Sequence, residues 1–166
     1  HRLLEAIRTA AAEAVEITTS AREVTELLME ADSDPEPVAL TPVLTRQIDA
    51  VRSGDRSISV TRVGKSDEAP VLADEMLKSV FRNLLRNAVV HNDGDSPSIR
   101  VSTEALADRV RVAVADNGPG VPDELKRTVF DEGTQGIDSE GTGLGLYLVR
   151  ALVDRYGGAV WVEDSE

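Results

Sequence analysis

The sequence contains no cysteine, few aromatic residues (3%) and no long apolar run. Without cysteine, neither a disulfide framework nor a thiolate metal site can form. With few aromatics, the core must consist mainly of Leu, Val, Ile and Ala, which the 41% hydrophobic content allows. No run approaches the roughly eighteen apolar residues of a transmembrane helix, and no signal peptide is visible. We therefore expect no membrane contact by this segment and a cytoplasmic location.

Positive charge is also scarce. The chain has 18 Lys+Arg against 30 Asp+Glu, a net charge of −12, and its lysines are only Lys65, Lys78 and Lys126. Nucleic-acid binding needs a positive surface, so this composition argues against it. An acidic, lysine-poor surface is typical of proteins from salt-loving archaea, in which salt screens the self-repulsion. The composition therefore predicts a halophilic protein that does not bind nucleic acid.

Residues 1–31 have the pattern of one long helix. Apolar residues recur at alternating spacings of four and three, as in a heptad seam, and small alanines in the seam allow close helix approach. The seam consists of Leu3, Ile7, Ala10, Ala14, Ile17, Ala21, Val24 and Leu28. Because such a strip is not stable alone in water, it needs a partner surface. We expect self-association into a helical bundle rather than packing against the chain's own domain.

Acidic residues and prolines then predict a linker over 32–37, which separates the helix from a domain over 38–166. Thr41 and Pro42 have the types favoured at a helix N-cap and first position. Asp74 or a neighbour is expected to cap a helix that runs to about His91. The predicted strands are 56–63, 69–74, 98–104, 109–117 and 158–164, and the predicted helices are 42–53, about 74–91, a short one after Pro122, and 144–156. These elements predict an α+β domain.

The segment RNLLRNAVVHND, residues 82–93, places Asn83 and Asn87 four residues apart in an apolar-rich helix. Side chains at this spacing share one face of a helix. Amides on a half-buried face need hydrogen-bond partners. They either bond to neighbouring backbone or hold a ligand that is not protein.

The segment DNGPG, residues 116–120, follows the strand pattern RVRVAVAD. A carboxylate at a strand end, such as Asp116, can accept a hydrogen bond from an amine. Gly118 and Gly120 would let a flat ring approach the backbone. The plain alternative is a tight turn with no ligand.

The segment GTGLGLYLV, residues 141–149, contains three glycines at a predicted helix start. Free N–H groups and the helix dipole at such a start attract phosphates. Glycine at 145 costs about 1 kcal/mol relative to alanine inside a helix, which indicates a close backbone contact. The alternative is a flexible loop that ends in a helix. The spacing is not that of a dinucleotide-binding fold, and GKS at 64–66 is no P-loop because Ser59 occupies the position that requires glycine.

Taken in order, N-x-x-x-N, D-x-G-x-G and G-x-G-x-G resemble the ATP-binding domain of sensor histidine kinases, over about residues 38–166. That domain belongs to a superfamily shared with gyrase, the heat-shock chaperone ATPase and the mismatch-repair ATPase. The resemblance implies a two-layer α/β sandwich of the Bergerat type. Residues 1–31 resemble the second helix of the kinase dimerisation hairpin, which implies a homodimer through them in the full protein.

The resemblance also implies roles for individual residues. Asn87, with help from Asn83, would coordinate Mg²⁺, and Asp116 would accept from the adenine amino group. Residues 121–140 would form a lid over the nucleotide, and Phe130 resembles the aromatic of the lid box. The implied nucleotide-binding set is Asn83, Asn87, His91, Asp116, Gly118, Gly120, Gly141, Thr142, Gly143, Leu144 and Gly145.

The implied activity is transfer of the ATP γ-phosphate to a histidine, for relay to an aspartate of a response-regulator receiver domain. Hydrolytic relatives place a glutamate one turn before the Mg²⁺-binding asparagine; here that residue is Asn83, which cannot accept a proton. The alternatives are a non-catalytic nucleotide-binding dimerisation module and a related superfamily ATPase. A protein-serine kinase of the anti-sigma type shares the motifs but lacks a heptad helix like residues 1–31.

Three features depart from the family pattern. His1 has neither the acid nor the proline that follow a phosphoacceptor histidine, so we expect the fragment to be inactive alone. Val90 and His91 stand where the family often has Lys then Tyr, which removes one phosphate-binding cation. The family's sheet usually has one more strand after 158–164.

Overall fold

The computed structural model describes residues 1–29, 34–64, 70–133 and 143–165. In chain order the helices and strands of these ranges are α1 Arg2–Met29, β1 Glu36–Ala39, α2 Leu40–Gly54, β2 Ser59–Gly64, β3 Pro70–Ala73, α3 Leu77–Val90, β4 Ser98–Ala105, β5 Val110–Asp116 and α4 Leu144–Arg155. The α+β class expected from the sequence is confirmed. No helix of the described ranges is long and apolar enough to cross a membrane.

The described strands form two sheets. In the larger one, β4 is central, pairing with β2 in parallel and with β5 in antiparallel register. The smaller sheet is the antiparallel pair β1–β3. Alternate residues of β4 (Ile99, Val101 and Thr103) are buried, as expected when one face of a sheet packs against helices.

Helices α2, α3 and α4 supply the other layer. Each has an apolar stripe at helical spacing, and the three stripes meet the buried face of β4 in one core. Its fully buried members include Leu44, Ile48, Leu85, Ile99, Val101, Leu148, Val149 and Leu152. This packing fixes α3 between α2 and α4, so the two asparagines of α3 lie inside the layer rather than at its edge.

A pair of hydrogen-bonded side chains joins the start of α3 to the end of α4. Asp74 accepts from the backbone N–H of Met76 at 2.9 Å and from the Tyr156 hydroxyl at 2.5 Å. Arg155 approaches the second Asp74 oxygen at 3.2 Å. Burial, together with the Asp74 hydrogen bond, raises the pKa of the Tyr156 phenol well above its ordinary value. The hydroxyl therefore keeps its proton and continues to donate to Asp74.

Three local predictions were wrong. The linker predicted over 32–37 overlaps β1, because Glu36 and Pro37 pair with Ala73 and Leu72. Thr41 is not the N-cap of α2; the cap is Ala39, and the Thr41 hydroxyl accepts from Arg62 instead. After Pro122 the chain makes successive hydrogen-bonded turns rather than a helix.

The strand predicted over 158–164 is also wrong. Val160 and Val162 are half-buried and Trp161 is exposed, which is the alternation of a strand. The segment nevertheless contacts β5 only through side chains in the described residues. Glu163 pairs with Arg111 at 2.6 Å, and the Arg111 guanidinium lies 5.5 Å from the centroid of the Trp161 ring. The alternation therefore reflects burial of every second side chain, and no backbone ladder joins 158–164 to β5 in the part of the chain that the structure describes.

Helix α1 uses two neighbouring faces. Along its C-terminal half, one face packs against the domain; the residues of that face are Glu13, Glu16, Ser20, Glu23 and Leu27. Glu23 is buried and accepts from the Ser79 hydroxyl at 2.6 Å and from Arg82, while Glu16 pairs with Arg86. The expectation that α1 does not pack against its own domain was therefore wrong for this half.

The heptad seam lies on the adjacent face and stays exposed. Leu3 is 73%, Ile7 55%, Ile17 50% and Leu28 72% exposed. Only Val24 of the seam reaches the core. The polar face of α1 thus holds the domain, and the apolar seam remains available to another helix.

Replacing Glu23 with alanine tests how α1 is held. Glu23→Ala removes the acceptor of Ser79 and Arg82, and we expect a loss of about 2 kcal/mol in the free energy of unfolding. The loss is below that of a fully buried pair, because the Arg82 side chain is 41% exposed and can rehydrate. Urea unfolding gives the stability, and amide hydrogen exchange over residues 13–27 locates the loosening. Glu5→Ala, at the exposed end of α1, is the control; equal effects of the two changes would contradict this role of Glu23.

Candidate functional site

Asn83 links α3 to the start of α4. Its side chain is buried, and its Nδ2 donates to the carbonyl of Ser79 one turn earlier at 2.8 Å. Its Oδ1 faces Gly145, because a β-carbon on Gly145 would lie 2.9 Å from that oxygen. A side chain at 145 would therefore push Asn83 out of place, which explains the glycine inside α4.

Asn87 is one turn further along α3, half-buried, and its side chain has no hydrogen-bond partner among the described residues. The side-chain amides of Asn83 and Asn87 thus differ in their surroundings. Asn83 bonds within the protein, and Asn87 keeps its amide uncommitted. An uncommitted amide oxygen is a suitable ligand for Mg²⁺, which binds hard oxygens and retains waters. The Asn83 oxygen, by contrast, lies against the backbone at Gly145, so the residues present fit a metal at Asn87 better than at Asn83.

The N-terminus of α4 lies beside Asn83. Gly143 is the residue before the helix and has φ +68°, in the left-handed region that favours glycine. Leu144 and Gly145 form the first turn, and the N-cap Gly143 supplies no side-chain cap. The backbone N–H groups of such a turn, with the helix dipole, form an anion-binding position. Gly141 and Thr142, which were also expected at the phosphates, lie outside the described residues.

The C-terminal end of α3 contacts the DNGPG turn. Asp116 is the last residue of β5, half-buried, and its Oδ1 accepts from the N–H of Gly118 at 2.9 Å. A β-carbon on Gly118 would lie 2.6 Å from the carbonyl oxygen of His91, so only glycine fits there. Gly120 has φ +76° with no atom near its missing β-carbon. One oxygen of Asp116 is thus held by the turn, and the other can accept from a ligand.

His91 is the C-cap of α3, and its side chain is exposed. Its backbone, rather than its imidazole, contacts the turn. The rise along α3 from Asn83 to His91 is about 12 Å. The start of α4 and the DNGPG turn therefore meet α3 about two helical turns apart.

The predicted lid is only partly described. Phe130 is buried in the core, and Lys126 pairs with Asp123 at 2.5 Å and Asp164 at 2.7 Å. Residues 134–140 lie outside the described ranges. Two surface cavities, of about 270 and 400 Å³, lie around Phe130 and Arg150, and none of the candidate nucleotide-binding residues lines them.

Comparison with known proteins decides the family. Residues 73–166, more than half of the chain, match the family model described as histidine kinase-, DNA gyrase B- and HSP90-like ATPase. The chain belongs to this ATPase family. The resemblance inferred from the three motifs is therefore confirmed.

Within this ATPase family, sensor histidine kinases are among the proteins that the chain resembles. The sensor histidine kinase ZraS of Klebsiella oxytoca is 33% identical over 93% of this chain and 34% of its own length. The catalytic domain of histidine kinase ThkA is 28% identical, with a TM-score of 0.73 over 81% of this chain and 90% of that one. Full-length ShkA in complex with AMPPNP is 26% identical, with a TM-score of 0.77 over 99% and 35%.

These likenesses show an ATP-binding catalytic domain of the histidine kinase type. The first curated relatives are longer proteins, of which the chain spans between 10% and 34%.

Sequence reasoning missed a contact next to Asp116, between Asn92 and Asn117. Asn117 lies between Asp116 and Gly118, and Asn92 directly follows His91. Their side chains join through a 2.7 Å hydrogen bond from Asn92 Nδ2 to Asn117 Oδ1. The sequence signal was an asparagine inside each motif segment, but nothing in the sequence shows that the two meet.

Proposed function

We propose that the chain binds Mg²⁺–ATP along α3 and donates the γ-phosphate to a histidine on a neighbouring helix of the full protein. The observation that supports it most is the double contact of α3. The middle of the helix lies against the glycine-rich start of α4 through Asn83, and its C-cap His91 lies against Gly118 in the turn that follows Asp116. A nucleotide laid along the helix would meet a carboxylate at its base and a helix N-terminus at its phosphates.

Each candidate residue then has one task. Asp116 accepts from the adenine amino group through the oxygen that Gly118 leaves free. The first turn of α4, with Gly143, Leu144 and Gly145, binds phosphate oxygens, and Asn87 supplies an amide oxygen to the metal. When bound, Mg²⁺ neutralises charge on the phosphates.

Phosphoryl transfer rather than hydrolysis follows from Asn83. Its amide cannot act as a base, and it is already bonded to Ser79 and packed against Gly145. Water near the γ-phosphate is therefore not activated by this residue. The site contributes positioning and charge stabilisation until an acceptor imidazole attacks in line.

The acceptor and the further partner lie beyond this chain's own site. His1 and His91 are its only histidines, and we expect neither to accept phosphate. The exposed seam of α1 supports a homodimer through residues 1–31 in the full protein, which would bring such a helix near the nucleotide. The phosphate would then pass to an aspartate of a response-regulator receiver domain in the cytoplasm.

A transfer assay tests the proposed activity. The chain is incubated with γ-labelled ATP and Mg²⁺, alone and with a dimerisation hairpin from a sensor histidine kinase that carries the acceptor histidine. We expect label only in the hairpin, as an acid-labile, base-stable phosphohistidine. Asn87→Ala is the matched variant and should give no labelled hairpin. Steady release of free phosphate by the chain alone, at a rate above the hairpin reaction, would instead support the ATPase alternative.

We further propose that the chain is adapted to high salt, as its net charge of −12 supports. Salt screens the repulsion between carboxylates. The Tm is expected to rise as KCl increases from about 0.15 M to about 3 M at pH 7. The control is the same titration near the isoelectric point of about 4.6, where the net repulsion vanishes and the rise should shrink. An equal rise at both pH values would contradict the screening account.

A further inference from the structure

The side chains of Asn92 and Asn117 form a compact network behind the Asp116 turn. Asn117 Oδ1 accepts from Asn92 Nδ2 at 2.7 Å and from the backbone N–H of Ser98 at 2.8 Å. Asn117 Nδ2 donates to the carbonyl of Ser96 at 3.0 Å. Each of these bonds joins the turn after β5 either to the segment between α3 and β4 or to the first residue of β4. We call Asn92 and Asn117 the amide clamp.

The amide clamp lies next to the atoms that would read the base. Asn117 is the residue after Asp116, and the missing β-carbon of Gly118 is 3.5 Å from Asn92 Cα and 2.9 Å from Asp116 Oδ1. Asn92 is 7% exposed, so its side chain is fixed inside the structure. A movement of Asn92 would therefore shift the turn that holds the Asp116 carboxylate.

The hydrogen bonding of Asn92 is incomplete in a way that stability alone does not explain. Its Nδ2 also donates to the carbonyl of Ser98 at 3.3 Å, while its Oδ1 is buried with no partner among the described residues. A buried acceptor without a partner destabilises a fold. An apolar residue at 92 would avoid that cost, but it would also lose the donor to Asn117.

We propose that Asn92, acting through Asn117, is the positioning residue that sets the Asp116 carboxylate for the 6-amino group of the purine. Asn92 follows the last turn of α3, so the amide clamp fixes the base-reading carboxylate relative to the helix that carries Asn83 and Asn87. Base selectivity is thereby tied to the position of α3. This inference rests on the proposed function, in which Asp116 reads adenine.

The test compares ATP with ITP, which carries a 6-oxo group in place of the amino group. Dissociation constants of both nucleotides are measured by calorimetry with Mg²⁺ for the 166-residue chain and its variants. Asn92→Ala removes the donor without adding charge. Asn92→Asp keeps the size but puts an oxygen against Asn117 Oδ1. In both variants we expect the preference for ATP over ITP to fall about tenfold, with ITP affinity within about threefold of the parent.

Gln47→Glu, on α2, is the charge-matched control. It adds one negative charge outside the amide clamp and outside the candidate nucleotide-binding residues. Its preference for ATP should stay within about twofold of the parent. Thermal melts confirm that each variant folds. Asn92→Ser, which keeps a shorter donor, replaces any variant that fails to fold. Its preference for ATP over ITP should lie between those of the parent and Asn92→Ala.

The outcomes separate this inference from the proposed function. If the parent prefers ATP and the Asn92 variants keep that preference, or lose both nucleotides equally, the positioning role is overturned while ATP binding stands. A parent that binds ATP and ITP equally also overturns it. A folded parent that binds neither nucleotide overturns the proposed function and this inference together.

Discussion

Asp116→Asn is expected to weaken ATP binding by at least about 30-fold with little change in stability. The variant is nearly isosteric, and its Oδ1 can still accept from the Gly118 N–H that the carboxylate accepts at 2.9 Å. The other oxygen becomes an amide NH₂, which would face the adenine amino group donor to donor. Loss of a charge-assisted hydrogen bond is worth about 2 kcal/mol, and that is about 30-fold in affinity. Calorimetric titration with ATP measures it.

The matched control for this substitution is Asp108→Asn, which removes the same charge from an exposed carboxylate paired with Arg109. Its ATP affinity should stay within about twofold of the parent. ITP, which carries an oxygen at position 6, should lose no affinity in Asp116→Asn. If both substitutions lower the ATP affinity equally, Asp116 acts through net charge alone, and the base-reading role is wrong.

Gly118→Ala is expected to have the second large effect, on stability and on binding at once. Its new β-carbon would lie 2.6 Å from the carbonyl oxygen of His91 and 2.9 Å from Asp116 Oδ1. The first of these atoms is backbone, so relief requires α3 and the turn to separate. Overpacking of this kind lowers the free energy of unfolding by about 1–3 kcal/mol. The ATP affinity should fall as well, because the Asp116 carboxylate is displaced. Urea unfolding and calorimetry measure the two losses.

Gly54→Ala is the matched control for the added methyl group. Gly54 ends α2, with no atom within 4 Å of its missing β-carbon. Alanine there should leave stability unchanged or raise it by up to about 1 kcal/mol. ATP affinity should not change. A Gly118→Ala variant as stable as Gly54→Ala, with unchanged ATP affinity, would show that the close approach of α3 to the turn is not needed.

The sequence predicted the parts of the site that depend on local chemistry. The α3 pattern, the β4 and β5 alternation and the helix after the glycine-rich segment are present near their expected bounds. Each has a strong period of its own and a clear boundary residue, such as the Gly143 that precedes α4. The order of the three motifs along the chain then identified the family, although the distances between them in the fold were unknown.

What the sequence could not predict depends on contacts between distant segments. The strand β1 is too short for a period to be seen, and it exists because β3 pairs with it. The segment 158–164 has the alternation of a strand but no ladder, since alternation records burial and not the position of a neighbouring backbone. Asn92 and Asn117 are 25 residues apart, and no local pattern joins them.

The first helix shows the same limit in another form. Its heptad seam was read as the main contact surface, yet the residues that reach the domain are one position away, with Glu16 and Glu23 bonded to arginines of α3. Buried carboxylates are rare unless they are paired, and their partners lie more than fifty residues further along the chain. The periodicity of the sequence therefore predicted the apolar face of α1, whereas the polar face that contacts the domain is seen only in the structure.

The central claim is that this chain holds ATP along α3. Its most direct test is calorimetry of the chain with ATP and Mg²⁺ in high salt, with GTP and the Asn87→Ala variant measured beside it. We predict ATP binding at micromolar to sub-millimolar strength, no binding of GTP, and loss of the Mg²⁺-dependent part of the affinity in Asn87→Ala. A folded chain that gives no heat with ATP, or that binds GTP equally well, would contradict the account.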